Sequence, residues 1–398
     1  RPSTLLLRVD GFGWQDCLAT GPGSAILGSL LFSALFPAPM SVKFLLRVAG
    51  TLLLAWAAAA ACVALHTPLP WMLGPLVATS VLSMAGAPTE SWGPLRNGGQ
   101  WAIGAALGLY FTPEVSALVG SLWWAIVLGI GWALLLGWGF GAWLYRLHAP
   151  RMHGVPASML RSTSYFAGAI GAASEMTLLS ERENARTDLV AASHSLRLLI
   201  VTITIPFALQ WSGLQGLDIL TPTVRDVSWP GLALLALLTG AGALVMDRLG
   251  RANPWFMGAM LVSMAVTMAG LHLSAVPQAL VNAAQLVIGV SLGVRFRAEF
   301  LHTAPRWLAS VAVGTFGLMG ICAAFAAVLA WATGLPWVTL LLGTSPGGIT
   351  EMAITAKVLQ LGVPVVTAFQ VCRLIAVLML VGPMFRRIYP PTEGGSAI

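Results

Sequence analysis

Apolar runs separated by short polar breaks cover most of the chain, in an order that occurs twice. They fall at about 42–65, 70–87, 98–111, 116–145, 156–180 and 188–211, then at about 229–246, 254–272, 278–294, 306–333, 336–361 and 364–385. About 20 apolar residues let a helix cross the hydrocarbon of a bilayer. The pattern therefore predicts an all-α polytopic membrane protein with two series of spans. The fifth member of each series, 156–180 and 336–361, carries a Gly-rich break and reads as a re-entrant hairpin, leaving five transmembrane helices per series.

Local echoes support a duplication, the first thing to test in such a pattern. Pro70-Trp71-Met72-Leu73-Gly74 returns as Pro254-Trp255-Phe256-Met257-Gly258. Gln100, Gly104, Gly108 and Phe111 match Gln285, Gly289, Gly293 and Phe296, while Gly171, Glu175, Met176 and Arg197 match Gly347, Glu351, Met352 and Arg373. The expected organisation is a first repeat over 42–211, a second over 229–388 and a tail over 389–398. Residues 1–39 mix Gly, Pro and Ser with a moderately apolar patch and are set aside as an N-terminal extension, with Met40 the expected start.

Composition agrees with burial in lipid. Of 398 residues 57% are hydrophobic and 9% charged, with a mean hydropathy of +0.83; a soluble domain carries roughly 25% charged residues. The net charge of +7 raises the question of a nucleic-acid partner, but the basic residues form no patch or stripe. They follow the positive-inside rule instead. With Lys43 and Arg47 in the cytoplasm, five crossings per half also place Arg96, Arg146, Arg151, Arg161, Arg182, Arg186, Arg248, Arg251, Arg295, Arg297, Arg306, Arg386 and Arg387 there. Arg225 and Lys357 fall outside. Five is odd, so the second repeat is expected to be inverted relative to the first.

Re-entrant backbone is tolerated at membrane depth only where protein buries it or a watery cavity meets it, so the hairpins are the expected working parts. Gly168, Gly171, Gly347 and Gly348 are expected to permit the tight turn and the close approach of a ligand to backbone amides. The clearest constellation is Thr344-Ser345-Pro346-Gly347-Gly348-Ile349-Thr350-Glu351-Met352, echoed by Ile170-Gly171-Ala172-Ala173-Ser174-Glu175-Met176. Each Glu precedes, by 22 positions, an Arg inside the next apolar run. A charge at mid-bilayer costs at least ~2.5–3.5 kcal/mol and by default marks function. On the functional reading, Arg197 and Arg373 bind an anionic group through their planar forks while Glu175 and Glu351 take a proton or hold a cation. On the competing reading, Glu and Arg neutralise each other and lock helices together. The candidate substrate or ion site is Glu175, Arg197, Ser345, Gly347, Gly348, Thr350, Glu351, Gln370 and Arg373. His194 and Gln370 stand three residues before each Arg, beside it on a helix; His194 reads equally as a proton relay or a packing residue.

Other features read as structural. Gly104/Gly108 and Gly289/Gly293 fit close helix packing, and most of the sixteen tryptophans fit membrane interfaces. Trp71 and Trp255, each after an echoed proline, are the expected exceptions. Cys17, Cys62, Cys322 and Cys372 show neither a disulfide framework nor zinc spacing. His66, His148, His153, His194, His272 and His302 are scattered without metal-ligand spacing, so no metal and no cofactor are expected.

At Pro70 to Pro75, Pro254 to Gly258, Gly171 to Met176 and Pro346 to Met352 the chain resembles the Gram-negative membrane AbrB family, which carries a duplicated domain with W-x-x-G-P-like and P-G-G-x-x-E-M-like signatures. The resemblance covers about 42–388. The first hairpin departs from the pattern, with Ile170 where the second has Pro346 and Ala172 where it has Gly348. Members of the family are labelled regulators of gene expression or ammonia monooxygenases, and a monooxygenase would need a cluster of metal ligands. The fold is similar in architecture to glutamate and citrate secondary transporters. The expectation is a non-enzymatic, multi-pass inner-membrane transporter of a small organic anion coupled to a proton or sodium ion, alone or as a homo-oligomer, without direct nucleic-acid contact. The alternative is a membrane-embedded sensor or regulator of gene expression acting through a partner.

Overall fold

The computed structural model describes residues 41–150, 152, 154–213, 226–296 and 304–390, except the side chain of Ser174. Residues 1–39, Met40, Cys17, Arg151, His153, Arg225, Arg297, His302 and the tail beyond residue 390 lie outside the described residues. Two units are distinguished, Arg1–Arg47 and Val48–Ile398. Within the first, the Ser41 hydroxyl accepts from the Phe44 N–H at 3.2 Å where α1 begins.

Fifteen helices and no strand occur among the described residues. They are α1 (Val42–Ala64), α2 (Pro70–Met84), α3 (Gly93–Gly108), α4 (Pro113–Ser121), α5 (Trp123–His148), α6 (Ala157–Gly168), α7 (Ala173–Arg182) and α8 (Thr187–Ser212), then α9 (Trp229–Arg248), α10 (Pro254–Met268), α11 (Gln278–Gly293), α12 (Pro305–Thr333), α13 (Trp337–Thr344), α14 (Ile349–Val358) and α15 (Val363–Ile388). Six of these, α1, α5, α8, α9, α12 and α15, are long and apolar enough to cross a membrane.

Four of the expected span helices are shorter than the other six. Helices α2 and α10 have 15 residues, α3 and α11 have 16; at 1.5 Å per residue they reach about 24 Å, short of a ~30 Å hydrocarbon core. Their ends are set locally. Leu69 and Asn253, ahead of Pro70 and Pro254, take left-handed conformations (φ 46° and 50°). Gly86 and Gly270 (φ 85° and 74°) close the other ends, with paired reverse hydrogen bonds from Gly86 and Ala87 to Ser83 and Leu82, and from Gly270 and Leu271 to Thr267 and Val266. This is the Schellman stop, which favours glycine because φ is positive. The run expected over 116–145 also divides. Thr112 caps α4 through its side chain, Pro113 opens it, and α4 lies 90° from α3.

Equivalent helices pack reciprocally. The α3 glycines Gly104 and Gly108 lie on α10, where a Cβ would collide with Phe256 O and with Met260 O and Ser263. Gly289 and Gly293 of α11 lie on α2 against Met72 O and against Leu76 O and Thr79, the positions matching those on α10. Gly74 meets Ala58 O of α1 as Gly258 meets Gly242 O of α9. The largest apolar cluster joins these four short helices to α13, α14 and α15 through residues such as Met72, Ile103, Phe256, Ile288, Leu342 and Phe369. It positions the second hairpin, while Tyr165, Phe166, Trp307 and Phe385 pack around the first.

Candidate functional site

Both Gly-rich runs form broken hairpins. Helix α6 ends at Gly168 and α7 starts at Ala173; α13 ends at Thr344 and α14 starts at Ile349. The breaks are extended backbone, with Ala169 at φ −53°, ψ 140° and Ser345 at φ −60°, ψ 148°. None of Gly168, Gly171, Gly347 or Gly348 has positive φ, so the expected turn freedom is not their role. Gly168 is needed for space against backbone, and the other three leave room that neighbouring side chains occupy. A Cβ on Gly171 would come within 2.9 Å of Met176, and one on Gly347 within 2.9 Å of Met352. Gly168 abuts the Gly141 backbone, and Gly348 lies under the Glu351 carboxylate.

A break of this kind leaves the last carbonyls of the first arm and the first N–H groups of the second without helical partners. The arginines satisfy the carbonyls. Arg197 donates to Ala167 O (3.3 Å), Gly168 O (3.2 Å) and Ala169 O (2.6 Å). Arg373 donates to Ser345 O and, at 2.9 Å, to Gly347 O. A cation at a helix C-terminus also complements the dipole. Glu175 and Glu351 stand in the first turns of α7 and α14, at the opposite side of each break. Among the described residues neither arginine pairs with the glutamate 22 positions before it. The forks expected to face a ligand are spent largely on backbone, and the Glu–Arg lock of the competing reading is absent among the described residues.

The residues three before each Arg brace it. His194 Nδ1 lies 2.8 Å from Arg197 Nη2 and its Nε2 lies 2.9 Å from Phe166 O. Arginine can only donate, so Nδ1 accepts and Nε2 carries the hydrogen: in this arrangement His194 is a neutral bridge. Gln370 does the same, accepting from Arg373 and donating to Leu342 O at 2.7 Å.

The hairpin tips meet a cavity of about 500 Å³. Glu175, Arg197, Gly347, Gly348, Thr350, Glu351 and Arg373 line it. Ser345 and Gln370 do not; both are fully buried behind the tip, holding its carbonyls. The far wall comes from the start of α3 (Arg96, Asn97, Gln100), the end of α11 (Ser291, Arg295) and the α9–α10 turn (Asp247, Arg251, Trp255). From the sequence Arg96, Arg251 and Arg295 had counted only as topology markers. The overlooked signal is that each lies beside an echoed motif yet is basic in one half alone: the matching positions are Val281, Thr67 and Tyr110. Trp255 lines the cavity, whereas Trp71 packs by Ala55 and Leu286. Protein walls desolvate the Arg295 guanidinium and lower its pKa from the ordinary arginine value. Arg96 presses the same way, and Glu351 opposes.

The family model described as "Transition state regulatory protein AbrB" matches residues 71–389. The chain is 26% identical over 329 residues to the AbrB protein of Escherichia coli (strain K12), named as a proposed regulator, covering 81% of this chain and 91% of that one. It is 24% identical over 346 residues to the uncharacterized protein YhjN of Bacillus subtilis (strain 168), covering 80% and 87%.

Proposed function

Since the chain belongs to the AbrB family and has, among the described residues, six helices apt to cross a membrane, we propose that it is a secondary transporter of a small organic anion, coupled to a proton or sodium ion, in the bacterial inner membrane. One observation carries this reading: two broken hairpins from matching parts of the chain converge on one polar cavity lined by Arg197, Arg373, Arg96, Arg251 and Arg295. Broken helices facing a cavity are the usual way a transporter presents helix ends to a charged substrate. Five guanidiniums against Asp247, Glu175 and Glu351 favour an anion.

Charge and aromatic placement support an inverted arrangement. The α5 start, α8 end, α9 start and α12 end carry Trp123, Trp211, Trp229 and Trp331, all strongly exposed, as an aromatic belt at one interface requires. The opposite ends carry Arg146, Arg186, Arg248 and Arg306. Arg161 stacks there on Tyr145 and Tyr389, and Glu183 accepts from Arg386 at 2.8 Å. On this reading the cavity opens to the cytoplasm. The alternate state would draw on the matching residues of the other half, among them Trp71, Tyr110, Asn282 and Gln285.

The test is uptake of radiolabelled mono- and dicarboxylates and amino acids into proteoliposomes under proton or sodium gradients. Gradient-driven uptake lost in Glu351→Gln is the expected result. The name of the Escherichia coli relative favours a second reading, a ligand-binding membrane sensor; binding by the purified protein with no uptake across the panel would select it.

A further inference from the structure

The N-terminus of α14 is already covered by a carboxyl group, and it is a side chain of the protein. Glu351 is 7% exposed. Its carboxyl folds back over Gly348, where a Cβ would collide with Oε2. There it lies at the start of this ten-residue helix, where orphan N–H donors and the positive end of the dipole favour an anion. At the first hairpin Ala172 occupies the equivalent position, so the bare glycine backbone beneath Glu351 is not repeated there. The two hairpins are therefore not interchangeable.

Independent observations mark this seat as one for a ligand. Arg373 is 6% exposed and lines the cavity, and its Nε is buried with no hydrogen-bond partner. The cavity itself has room for a small organic acid.

We propose that the Glu351 carboxylate and the carboxylate of the transported anion compete for the N-terminus of α14, so that substrate binds there only when Glu351 is protonated and each anion travels with one proton. This rests on the anion-transport reading and selects the proton over sodium. The proton resides on Glu351 as a neutral carboxyl while substrate is bound and leaves when substrate leaves. Substrate replaces one carboxylate by another, so the charge among the surrounding guanidiniums is preserved. Those surroundings come from every packed element. Helix α15 contributes Arg373, α8 contributes Arg197 and His194, and α3 contributes Arg96, while α13 brings no titratable side chain. Across the cavity stand Arg295, within electrostatic reach of Glu351, with Glu175, Asp247 and Arg251. Lys357 sits at the far end of α14.

The experiment is equilibrium binding of acetate, lactate, succinate and glutamate to the purified full chain between about pH 6 and 9, with and without sodium. In the wild type the Kd of the acid that binds weakens about tenfold per pH unit once Glu351 ionises, as one-proton linkage requires. Glu351→Gln, neutral at every pH, binds at least as tightly as the wild type at its acid limit and loses the slope. Gly348→Ala, which unseats the carboxylate while keeping it, flattens the slope too, and Glu175→Gln retains it. A slope that survives in Glu351→Gln overturns the proposal and leaves anion binding standing, as does a sodium requirement without pH dependence. Loss of binding in a Glu351→Gln protein that elutes as wild type overturns it as well, because the carboxylate would then be a ligand and not a competitor. No binding of any acid by wild type or variant at any pH overturns the anion reading together with the coupling built on it.

Discussion

Arg197 and Arg373 each set guanidinium N–H groups on carbonyls that the hairpin break would otherwise leave bare, and a buried acceptor without a donor costs about 1–3 kcal/mol. Arg373→Ala strips Ser345 and Gly347 of their donors. Its expected outcome is a lower thermal midpoint in detergent as well as weaker anion binding, with Arg373→Lys intermediate because a point charge cannot span both carbonyls. The brace beside each Arg gives a sharper test. Gln370 occupies in one half the role of His194 in the other, and an amide offers the same acceptor and donor. His194→Gln should keep wild-type stability and pH dependence, while His194→Leu should lower the melting midpoint. A proton-relay histidine would respond in the opposite sense, with the Gln variant losing pH-dependent uptake. The charges at the breaks were legible in the sequence because a 22-residue Glu-to-Arg spacing occurs twice. Their partners were not, since spacing along a chain does not say that an Arg turns to the carbonyls of the preceding arm.

Helices cross closely here where a glycine on one lies against backbone of the other. Gly104 and Gly108 on α3 meet α10, and Gly289 and Gly293 on α11 meet α2, each with backbone oxygen where a Cβ would stand. Gly98 lies on the same α3 helix with nothing within 4 Å of a Cβ. Gly104→Ala should therefore lower the thermal midpoint in detergent, whereas Gly98→Ala should leave it unchanged or raise it, alanine gaining about 1 kcal/mol over glycine inside a helix. Equal effects of the two would mean that α3 and α10 are not held by this contact. The G-x-x-x-G spacing pointed to packing from the start. It did not name the partner, which lies in the other half of the chain in both cases.

At the scale of the molecule, the reading of two oppositely directed halves makes a prediction about sides. In a cysteine-free background, single cysteines at Trp229 and Trp331 should react with an impermeant thiol reagent applied outside intact cells, and those at Arg248 and Arg387 only after the membrane is opened. Labelling of positions 331 and 387 from the same side would remove the inverted arrangement and the cytoplasmic opening of the cavity with it. The sequence by itself determined the solvent, the helical class, the family and the two matching series, because hydrophobic length and repeated motifs are local properties that survive without coordinates. Tertiary structure decided that four of the expected helices are only 15 or 16 residues long. It also decided that the hairpin glycines serve close approach and that Arg96, Arg251 and Arg295 face the same cavity as Arg373. It seated Glu351 against Gly348, where the first hairpin has Ala172. Each of these depends on which atoms compete for one place, and that is fixed only when distant segments have packed.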